Sequence, residues 1–221
     1  VVMVEPTAER TFVTTLGAER DITVASLATS MPRAGDLVCV TGFSLALEST
    51  REPLLDWLTG LEDEVVVVLD PGAAFAQLPA EVRTTMLAIT DVWSSNAEEA
   101  TDLLAALDLT PPPGEIEIVE QTRCLAPLMR GESVTIVRDG PHGCAVQVAG
   151  EATYVPGFPQ TPVDTNGAGD THTGALMAEV ATGTPWVEGC RRANAAAAIK
   201  VTRRGPATAP TSGEVDDFLA L

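Results

Sequence analysis

The sequence predicts an α/β protein in three layers, α/β/α, with a mostly parallel sheet that is covered by helices on both faces. Short apolar runs such as residues 65–69 recur between segments of helical periodicity, and strands that alternate with helices favour a parallel sheet. Of the 221 residues, 45% are hydrophobic and 20% are charged, a composition typical of a globular domain with a buried core. We therefore expect a single domain over residues 1–221.

The individual elements follow from periodicity and from the residues that begin or end them. Strands are expected at residues 10–15, 37–41, 65–70, 91–94, 134–138, 144–148 and 152–155. Helices are expected at residues 54–61, 81–89, 97–107, 169–181, 186–201 and 213–221. Asn96 is a good N-cap for the third of these helices, with Glu98 and Glu99 in its first turn. The proline-rich stretch 110–114 marks a break, and residues 149–150 turn the last two strands into a hairpin.

The composition excludes several classes of partner. With 13 Lys and Arg against 31 Asp and Glu, the net charge is −18, so a nucleic acid would be repelled. No apolar run approaches the roughly 18 residues of a membrane span, and residues 1–6 carry no basic segment of the kind that begins a secretory signal. We expect a cytoplasmic protein with no membrane or nucleic-acid partner. The four cysteines form no CxxC pair and are expected to be free and buried.

The most informative segment is residues 163–174, where small residues lead directly into an apolar helix. Glycines let a ligand approach the backbone closely, and the free N–H groups at a helix N-terminus stabilise an anion. Asp170, in the first turn, is placed to take a proton from a substrate hydroxyl while the neighbouring amides stabilise a transferred phosphoryl group. The alternative is that Asp170 only caps the helix. The spacing of the residues leaves both interpretations open.

Two other phosphate-binding motifs are excluded. The P-loop pattern GxxxxGK[ST] needs a lysine after its second glycine, whereas the only lysine, Lys200, follows Ile199. The dinucleotide pattern GxGxxG fails because the next glycine after Gly169 is Gly174. An anion site at this helix would therefore depend on backbone amides.

The run DTNGAGD at residues 164–170, followed by Gly174, resembles the C-terminal signature of the PfkB family of carbohydrate kinases, which have the ribokinase-like fold. Three other segments agree with this resemblance. NAEE at 96–99 resembles the family's N-x-x-E element, GPHG at 140–143 its nucleotide loop, and the residues 193–198 and 201–205 its late helix and turn. The resemblance extends over nearly the whole chain.

The resemblance implies transfer of a phosphoryl group from ATP to a sugar hydroxyl. Asp170 would be the general base, and Gly167, Ala168 and Gly169 would form the anion hole. The protein's partners would then be ATP and a small sugar, and a homodimer is expected by the same resemblance.

The resemblance also implies positions for the cofactors. Glu99, together with Asn96, would organise Mg²⁺ through water near the phosphates. Asp164 and the backbone of Asn166 would hold a monovalent cation such as potassium. The nucleotide pocket would be lined by Asn96, Glu99, Gly140, Gly143 and Asn194.

Three features depart from the family pattern. Arg138 stands where the family commonly has threonine, ahead of the nucleotide loop. His172 replaces the usual phenylalanine after the catalytic aspartate, and we expect helix packing or a surface contact rather than a metal ligand. The family's N-terminal glycine pair, which helps to hold the sugar, is missing. We therefore expect an N-terminally incomplete kinase domain that lacks much of the acceptor-binding surface.

Three hypotheses for function follow. The first is an ATP-dependent sugar kinase, with ribose, fructose, a keto-deoxy sugar acid, a sugar phosphate or a nucleoside as acceptor. The second is an inactive module of the same fold that binds nucleotide or sugar without turnover. The third, a purely structural acidic domain, requires the pattern at residues 167–170 to be a coincidence of turn and capping chemistry.

Overall fold

The computed structural model describes residues 2–4, 10–13, 15 and 17–221. The strands in this part of the chain are β1 (Val2–Val4), β2 (Arg10–Phe12), β3 (Leu37–Thr41), β4 (Val66–Asp70), β5 (Val92–Asn96), β6 (Val134–Arg138), β7 (Gly143–Val148) and β8 (Glu151–Pro156). β1 and β2 form a small antiparallel sheet, and the others form the main sheet in the order β3-β4-β5-β6-β7-β8. The pairs from β3 to β6 are parallel, whereas β7 and β8 add an antiparallel hairpin. The carboxyl ends of β3 to β6 therefore meet at one end of the sheet.

Helices cover both faces of the main sheet. They are α1 (Val24–Ala28), α2 (Gly42–Leu45), α3 (Glu48–Thr59), α4 (Ala80–Ile89), α5 (Ala97–Ala106), α6 (Glu117–Leu125), α7 (Ala168–Ala181), α8 (Trp186–Val201) and α9 (Ser212–Leu219). Because successive side chains of a strand point to opposite faces, Val67 and Leu69 pack against the layer of α3 to α6, while Val68 packs against the layer of α7 and α8. This arrangement confirms the expected three-layer α/β/α architecture.

α7 and α8 pack against each other through small side chains. Ala193 is fully buried, and a Cβ atom placed on Gly189 would lie 3.0 Å from the Cδ1 atom of Leu176. The end of α8 also holds the loop that leads into α7, because the carbonyl oxygen of Val201 accepts hydrogen bonds from the amides of Val163, at 2.7 Å, and Asp164, at 3.1 Å. The two helices therefore fix the position of the segment that the sequence analysis singled out.

The predicted elements and the structure differ mainly at their ends. The strand at 134–138 and the helix at 186–201 are confirmed with the same bounds. The helix expected at 54–61 begins earlier, at Glu48, because Pro53 lies within α3 instead of before it. The strand expected at 91–94 is displaced to Val92–Asn96. Of the strand expected at 10–15, only Arg10–Phe12 has strand structure in the described part of the chain, and Thr14 lies outside it.

The structure also contains helices that the sequence analysis missed, α1, α2 and α6. α6 is the most important of them for packing, because Ile118, Val119 and Leu125 all join the larger hydrophobic core. It follows the proline-rich break directly, so the break separates α5 from another helix and not from a strand.

The expectation of buried, free thiols is partly confirmed. Cys144 and Cys190 are buried and all four cysteines are free, but Cys124 is half-buried and Cys39 is exposed. Cys39 points away from the face on which Val38 and Val40 join the larger core, and β3 is the last strand of the main sheet, so this side of it is less covered. In the described residues, no helix has the length and apolar character needed to cross a membrane.

Candidate active site

A cavity of about 650 Å³ lies beyond the carboxyl ends of the parallel strands. Asp70 at the end of β4, Asn96 at the end of β5 and Arg138 at the end of β6 line it, together with the first turn of α7. In open parallel sheets, ligands bind in this position because the strands present their last residues to a common crevice. The cavity is the candidate active site.

Most of the predicted site residues line this cavity. They are Asn96, Glu99, Gly140, Gly143, Ala168, Gly169, Asp170 and Asn194. The other three, Gly167, Asp164 and Asn166, do not line the cavity and belong to the loop that leads into α7. The fold therefore brings together residues that are separated by up to about half of the chain.

The loop before α7 ends in a left-handed residue. Gly167, the N-cap of α7, has φ = 80°, and a Cβ atom there would lie 2.6 Å from the carbonyl oxygen of Pro206, so only glycine fits this turn. Within the described residues, the amides of Gly167, Gly169 and Asp170 have no protein acceptor, whereas the amide of Ala168 donates to the Thr165 carbonyl at 3.2 Å. The free amides of Gly169 and Asp170 lie beside the cavity and can bind an anion.

Asp170 does not act as the cap of α7. The N-cap position belongs to Gly167, and no side chain caps this end of the helix. Asp170 is exposed, lines the cavity and accepts no hydrogen bond from any described residue. Its carboxylate is therefore available to a substrate.

Asn96 and Glu99 hold the start of α5 through a reciprocal capping box. The Asn96 Oδ1 atom accepts from the Glu99 amide at 2.7 Å, and the Glu99 Oε2 atom accepts from the Asn96 amide at 2.9 Å. Burial raises the pKa of the Glu99 carboxyl, while its hydrogen bond from Asn96 and the charge of Arg138 act in the opposite direction. The capping box at the start of α5 thus holds the Glu99 carboxyl at the cavity.

Arg138 joins three strand ends around the cavity. Its Nε atom donates to the Ser95 carbonyl at 3.1 Å, and its Nη2 atom donates to the Ser94 carbonyl at 3.1 Å and to the Asp70 Oδ2 atom at 3.2 Å. Nη2 also lies 4.0 Å from the Glu99 Oε2 atom. The guanidinium therefore compensates the negative charge of two carboxylates. Arg138, which stands where the family commonly has threonine, thus lies at the centre of the site.

The same guanidinium reaches the loop at the start of α7. A Cβ atom placed on Gly169 would lie 2.6 Å from the Arg138 Nη1 atom. On β3, partial burial of the Cys39 thiol raises its pKa to about 11, together with the negative charges of Asp70 and Asp170. Arg138 opposes this rise. Sequence reasoning missed Asp70, although the observation that β4 ends in a carboxylate pointed to it.

The cavity continues toward β7 and α8. Gly143 has φ = 115°, and a Cβ atom there would lie 2.2 Å from the Val155 carbonyl oxygen, so the turn after Gly140 depends on glycine. The Asn194 Nδ2 atom donates to the Val155 and Pro156 carbonyls at 3.1 Å, and its Oδ1 atom lies 3.1 Å from the His172 Nε2 atom. His172 is buried between α7 and α8. It packs between the two helices, as the sequence analysis expected, and it also lines the cavity.

Asp164 is surrounded by donors of its own chain. Its Oδ1 atom accepts from the Asn166 amide at 2.9 Å, its Oδ2 atom accepts from the Gly205 amide at 2.9 Å, and its carbonyl oxygen accepts from the Lys200 Nζ atom at 2.7 Å. The ammonium group of Lys200 therefore lies directly at one of the two residues that would hold the cation. The residues at this place therefore do not fit the monovalent cation that the resemblance implies.

The donors around the cavity suit an Mg²⁺ ion that is shared with a substrate. The described residues contain no group of three or more His, Cys, Asp and Glu side chains that could hold a metal by themselves. Mg²⁺ commonly binds through one or two carboxylates, substrate phosphates and several waters. Glu99, a carboxylate at the cavity wall, fits that mode of binding.

The family model described as pfkB family carbohydrate kinase matches residues 1–212. The chain belongs to the PfkB family of carbohydrate kinases. This result confirms the resemblance on which the roles of the site residues were based. The roles themselves remain predictions.

Relatives of this PfkB-family chain are longer than the chain itself. It is 30% identical over 213 residues to an uncharacterised sugar kinase, YegV, of Escherichia coli K12, and the match covers 96% of this chain and 64% of that protein. The chain thus spans less than two thirds of the length of this relative.

Solved structures of the same fold extend the comparison. A ribokinase of Thermotoga maritima has a TM-score of 0.75 and 22% identity, over 100% of this chain and 68% of its own. A fructokinase double mutant of Vibrio cholerae, bound to fructose, ADP and a potassium ion, has a TM-score of 0.77 and 20% identity, over 99% of this chain and 72% of its own. At this level of identity the likeness shows the fold, and it confirms that the fold is ribokinase-like.

Proposed function

We propose that this chain forms the nucleotide-binding and catalytic part of an ATP-dependent kinase that phosphorylates a hydroxyl group of a sugar or sugar-like compound, nucleosides included. One observation carries the proposal. The free carboxylate of Asp170 lines the same cavity as the free amides at the N-terminus of α7. A base next to an anion site suits the transfer of a phosphoryl group to an alcohol.

The anion hole is formed by the segment 167–170, in which Gly167 makes the turn and the amides of Gly169 and Asp170 face the cavity. The transition state of phosphoryl transfer spreads negative charge over the phosphoryl oxygens, and donors that are already in place stabilise it. The amides of Gly169 and Asp170 donate directly, because no described residue competes for them. The amide of Ala168 is used by Thr165, so Ala168 contributes through the helix dipole.

Asp170 is the general base. As the acceptor oxygen forms its bond to the γ-phosphorus, the hydroxyl proton passes to the carboxylate, and the bond from the γ-phosphorus to the bridging oxygen of ADP breaks. A general base of this kind contributes about 10²- to 10⁴-fold to the rate. The exposure of Asp170 to the cavity supports this role.

The remaining residues of the cavity bind the nucleotide and its metal. When bound, Mg²⁺ neutralises charge on the phosphates. Glu99 would hold the metal through water, next to Asn96. Gly140, Gly143 and Asn194 would line the nucleotide side of the cavity, where the two glycines have no side chain to occupy the space of a ligand. The cavity volume of about 650 Å³ is in the range of small-molecule sites, which is about 300–1,000 Å³.

The experiment compares Asp170→Asn with the wild-type chain. MgATP binding is measured by calorimetry, and ADP formation is measured with a panel of ribose, fructose, a keto-deoxy sugar acid, a sugar phosphate and a nucleoside. We expect Asp170→Asn to bind MgATP as tightly as the wild type but to lose at least about 10²-fold in turnover. The exposed Asp217 on α9 supplies a matched control, since Asp217→Asn removes the same charge far from the cavity and should leave turnover unchanged.

Equal turnover in Asp170→Asn and the wild type would overturn the role of Asp170. MgATP binding without turnover of any acceptor would favour the second hypothesis, a nucleotide-binding module of the same fold. The experiment is designed to test this second hypothesis as well, because the match covers only 64% of the length of the relative.

A further inference from the structure

The single lysine of this protein is the most deeply buried charged side chain among the residues whose burial the structure describes. Lys200, on α8, has no solvent-exposed surface, although lysine is almost never fully buried unless it is paired. Its Nζ atom donates to the carbonyl oxygen of Asp164 at 2.7 Å. Because a buried charge is costly without a compensating partner, this carbonyl is the contact that compensates the ammonium group.

Asp164, whose main-chain carbonyl accepts from Lys200, also ties together the loop before α7. Its carboxylate is half-buried, and its two oxygens accept the amides of Asn166, within the loop, and Gly205, in the turn after α8. This turn also touches the N-cap of α7, where the Pro206 carbonyl leaves no room for a side chain at Gly167. A cation beside Asp164 therefore acts on the loop that carries the free amides of the anion hole.

We infer that the ammonium group of Lys200 is a built-in monovalent cation, which stabilises the Asp164 loop in the place of a bound potassium ion. The group has the charge that a potassium ion would bring, and it lies 2.7 Å from the carbonyl oxygen of Asp164, one of the two residues expected to hold such an ion. A second cation at the same place would be repelled by the ammonium group at short range. The loop is therefore independent of potassium. The consequence for catalysis rests on the proposed function, whereas the cation site itself does not.

The first test measures the stability of the protein without nucleotide. Melting temperatures are recorded in potassium chloride, sodium chloride and choline chloride at equal ionic strength. The wild type should melt at one temperature in all three salts. Lys200→Ala removes the ammonium group and leaves a space, so it should melt about 5 °C lower in choline, because a buried carbonyl loses its partner. Potassium should restore at least half of this loss in a saturable manner.

Two matched variants separate a cation effect from a loss of packing. Lys200→Met fills the space without a charge, so it should be destabilised and should not respond to potassium. Arg191→Ala removes a positive charge from the exposed side of the same helix, where the Arg191 side chain is 43% exposed, and it should respond equally to the three salts. A saturable rise in the melting temperature of the wild type with potassium would overturn the inference. A folded Lys200→Ala protein whose melting temperature does not respond to potassium would also overturn the inference.

A second measurement keeps the inference open to refutation if Lys200→Ala does not fold. MgATP is titrated calorimetrically into the wild-type chain in potassium chloride and in choline chloride. Equal affinity in the two salts is expected, and an affinity at least tenfold higher in potassium would overturn the built-in cation. Absence of binding in both salts would instead count against the proposed function, and the melting experiment would still decide the role of Lys200.

Discussion

The Nη2 atom of Arg138 lies 3.2 Å from the Oδ2 atom of Asp70, although the two residues are far apart in the chain. Their side chains are only 10% and 15% exposed, so neither charge is well hydrated. The pair connects the ends of β4 and β6 across β5, and the Arg138 contacts to the Ser94 and Ser95 carbonyls connect it to β5 itself. This ion pair stabilises the strand ends on which the cavity is built.

Removal of Arg138 should therefore be costly. Arg138→Met leaves Asp70 without its cation, and we expect the free energy of unfolding to fall by about 3 kcal/mol at neutral pH. The double variant Asp70→Asn, Arg138→Met should recover part of that loss, because position 70 then carries no uncompensated charge. Urea unfolding of the wild type, both single variants and the double variant forms the cycle that measures the coupling. Strict additivity of the two single changes would show that the pair does not couple the strands.

Glu99 offers a way to separate a capping role from a metal-binding role. In Glu99→Gln the side chain still accepts the Asn96 amide, so the capping box is kept, whereas Glu99→Ala loses it and should cost about 1 kcal/mol of stability. If Glu99 holds Mg²⁺ through water, both variants should need more Mg²⁺ for MgATP binding. Unfolding and Mg²⁺ titrations of the two variants check this. An unchanged Mg²⁺ requirement in Glu99→Gln would leave Glu99 with the capping role alone.

The pH dependence of the Glu99→Gln variant has a defined sign. The pKa of Glu99 is raised by burial, so the folded state holds this proton more tightly than the unfolded state. The ionised Glu99 therefore reduces the stability of the wild type above the ordinary pKa of about 4.5. We expect Glu99→Gln to gain stability relative to the wild type as the pH rises through the folded-state pKa. Unfolding curves between about pH 4 and pH 7 measure this difference, and a difference that shrinks with rising pH would contradict it.

Cys39 can report the charge of the candidate active site. Its thiol has a pKa of about 11, so alkylation by iodoacetamide should stay slow at pH 9 and rise with a midpoint near pH 11. Asp170→Asn should lower this midpoint, because the negative charge of Asp170 raises the pKa of the thiol, while Asp217→Asn should leave it unchanged. Alkylation of the peptide that contains Cys39 is followed by mass spectrometry. An alkylation midpoint that is the same in Asp170→Asn and the wild type would show that the Asp170 carboxylate lies away from β3.

Gly167 and Gly174 make a matched pair on one helix. Gly167→Ala puts a side chain on a left-handed residue and against the Pro206 carbonyl, so it should destabilise the protein by at least about 1 kcal/mol and weaken MgATP binding. Gly174→Ala lies inside α7 with no atom within 4 Å of the new Cβ, and it should stabilise the helix by about 0.5–1 kcal/mol. Thermal unfolding and calorimetry of both variants measure these effects. Equal behaviour of the two variants would contradict the special geometry of Gly167.

The sequence by itself determined the features that depend on neighbours along the chain. The capping box of Asn96 and Glu99, the hairpin at residues 149–150 and the helix at 186–201 follow from short-range contacts, and the structure contains all of them. The glycine-rich loop before α7 carried the family signature for the same reason, because its function depends on a short run of consecutive backbone groups.

Helix α6 is an element for which the local signal was too weak. Its spacing of Ile118, Val119 and Leu125 suits a helix, but its β-branched residues lower the helix propensity and the proline-rich break precedes it. Burial of these residues in the larger core decides its conformation. Tertiary packing here outweighs propensity, which is the usual reason that a sequence pattern misses a helix.

Only the tertiary structure decided the charges of the site. The contact of Arg138 with Asp70 requires three strands in parallel register, and the contact of Lys200 with Asp164 requires the end of α8 to pack against the loop before α7. In the sequence, Arg138 was a departure from a pattern and Lys200 was only a solitary lysine. Because a charge acts through space and depends on burial, its role became defined when the fold placed each cation against its carboxylate or carbonyl.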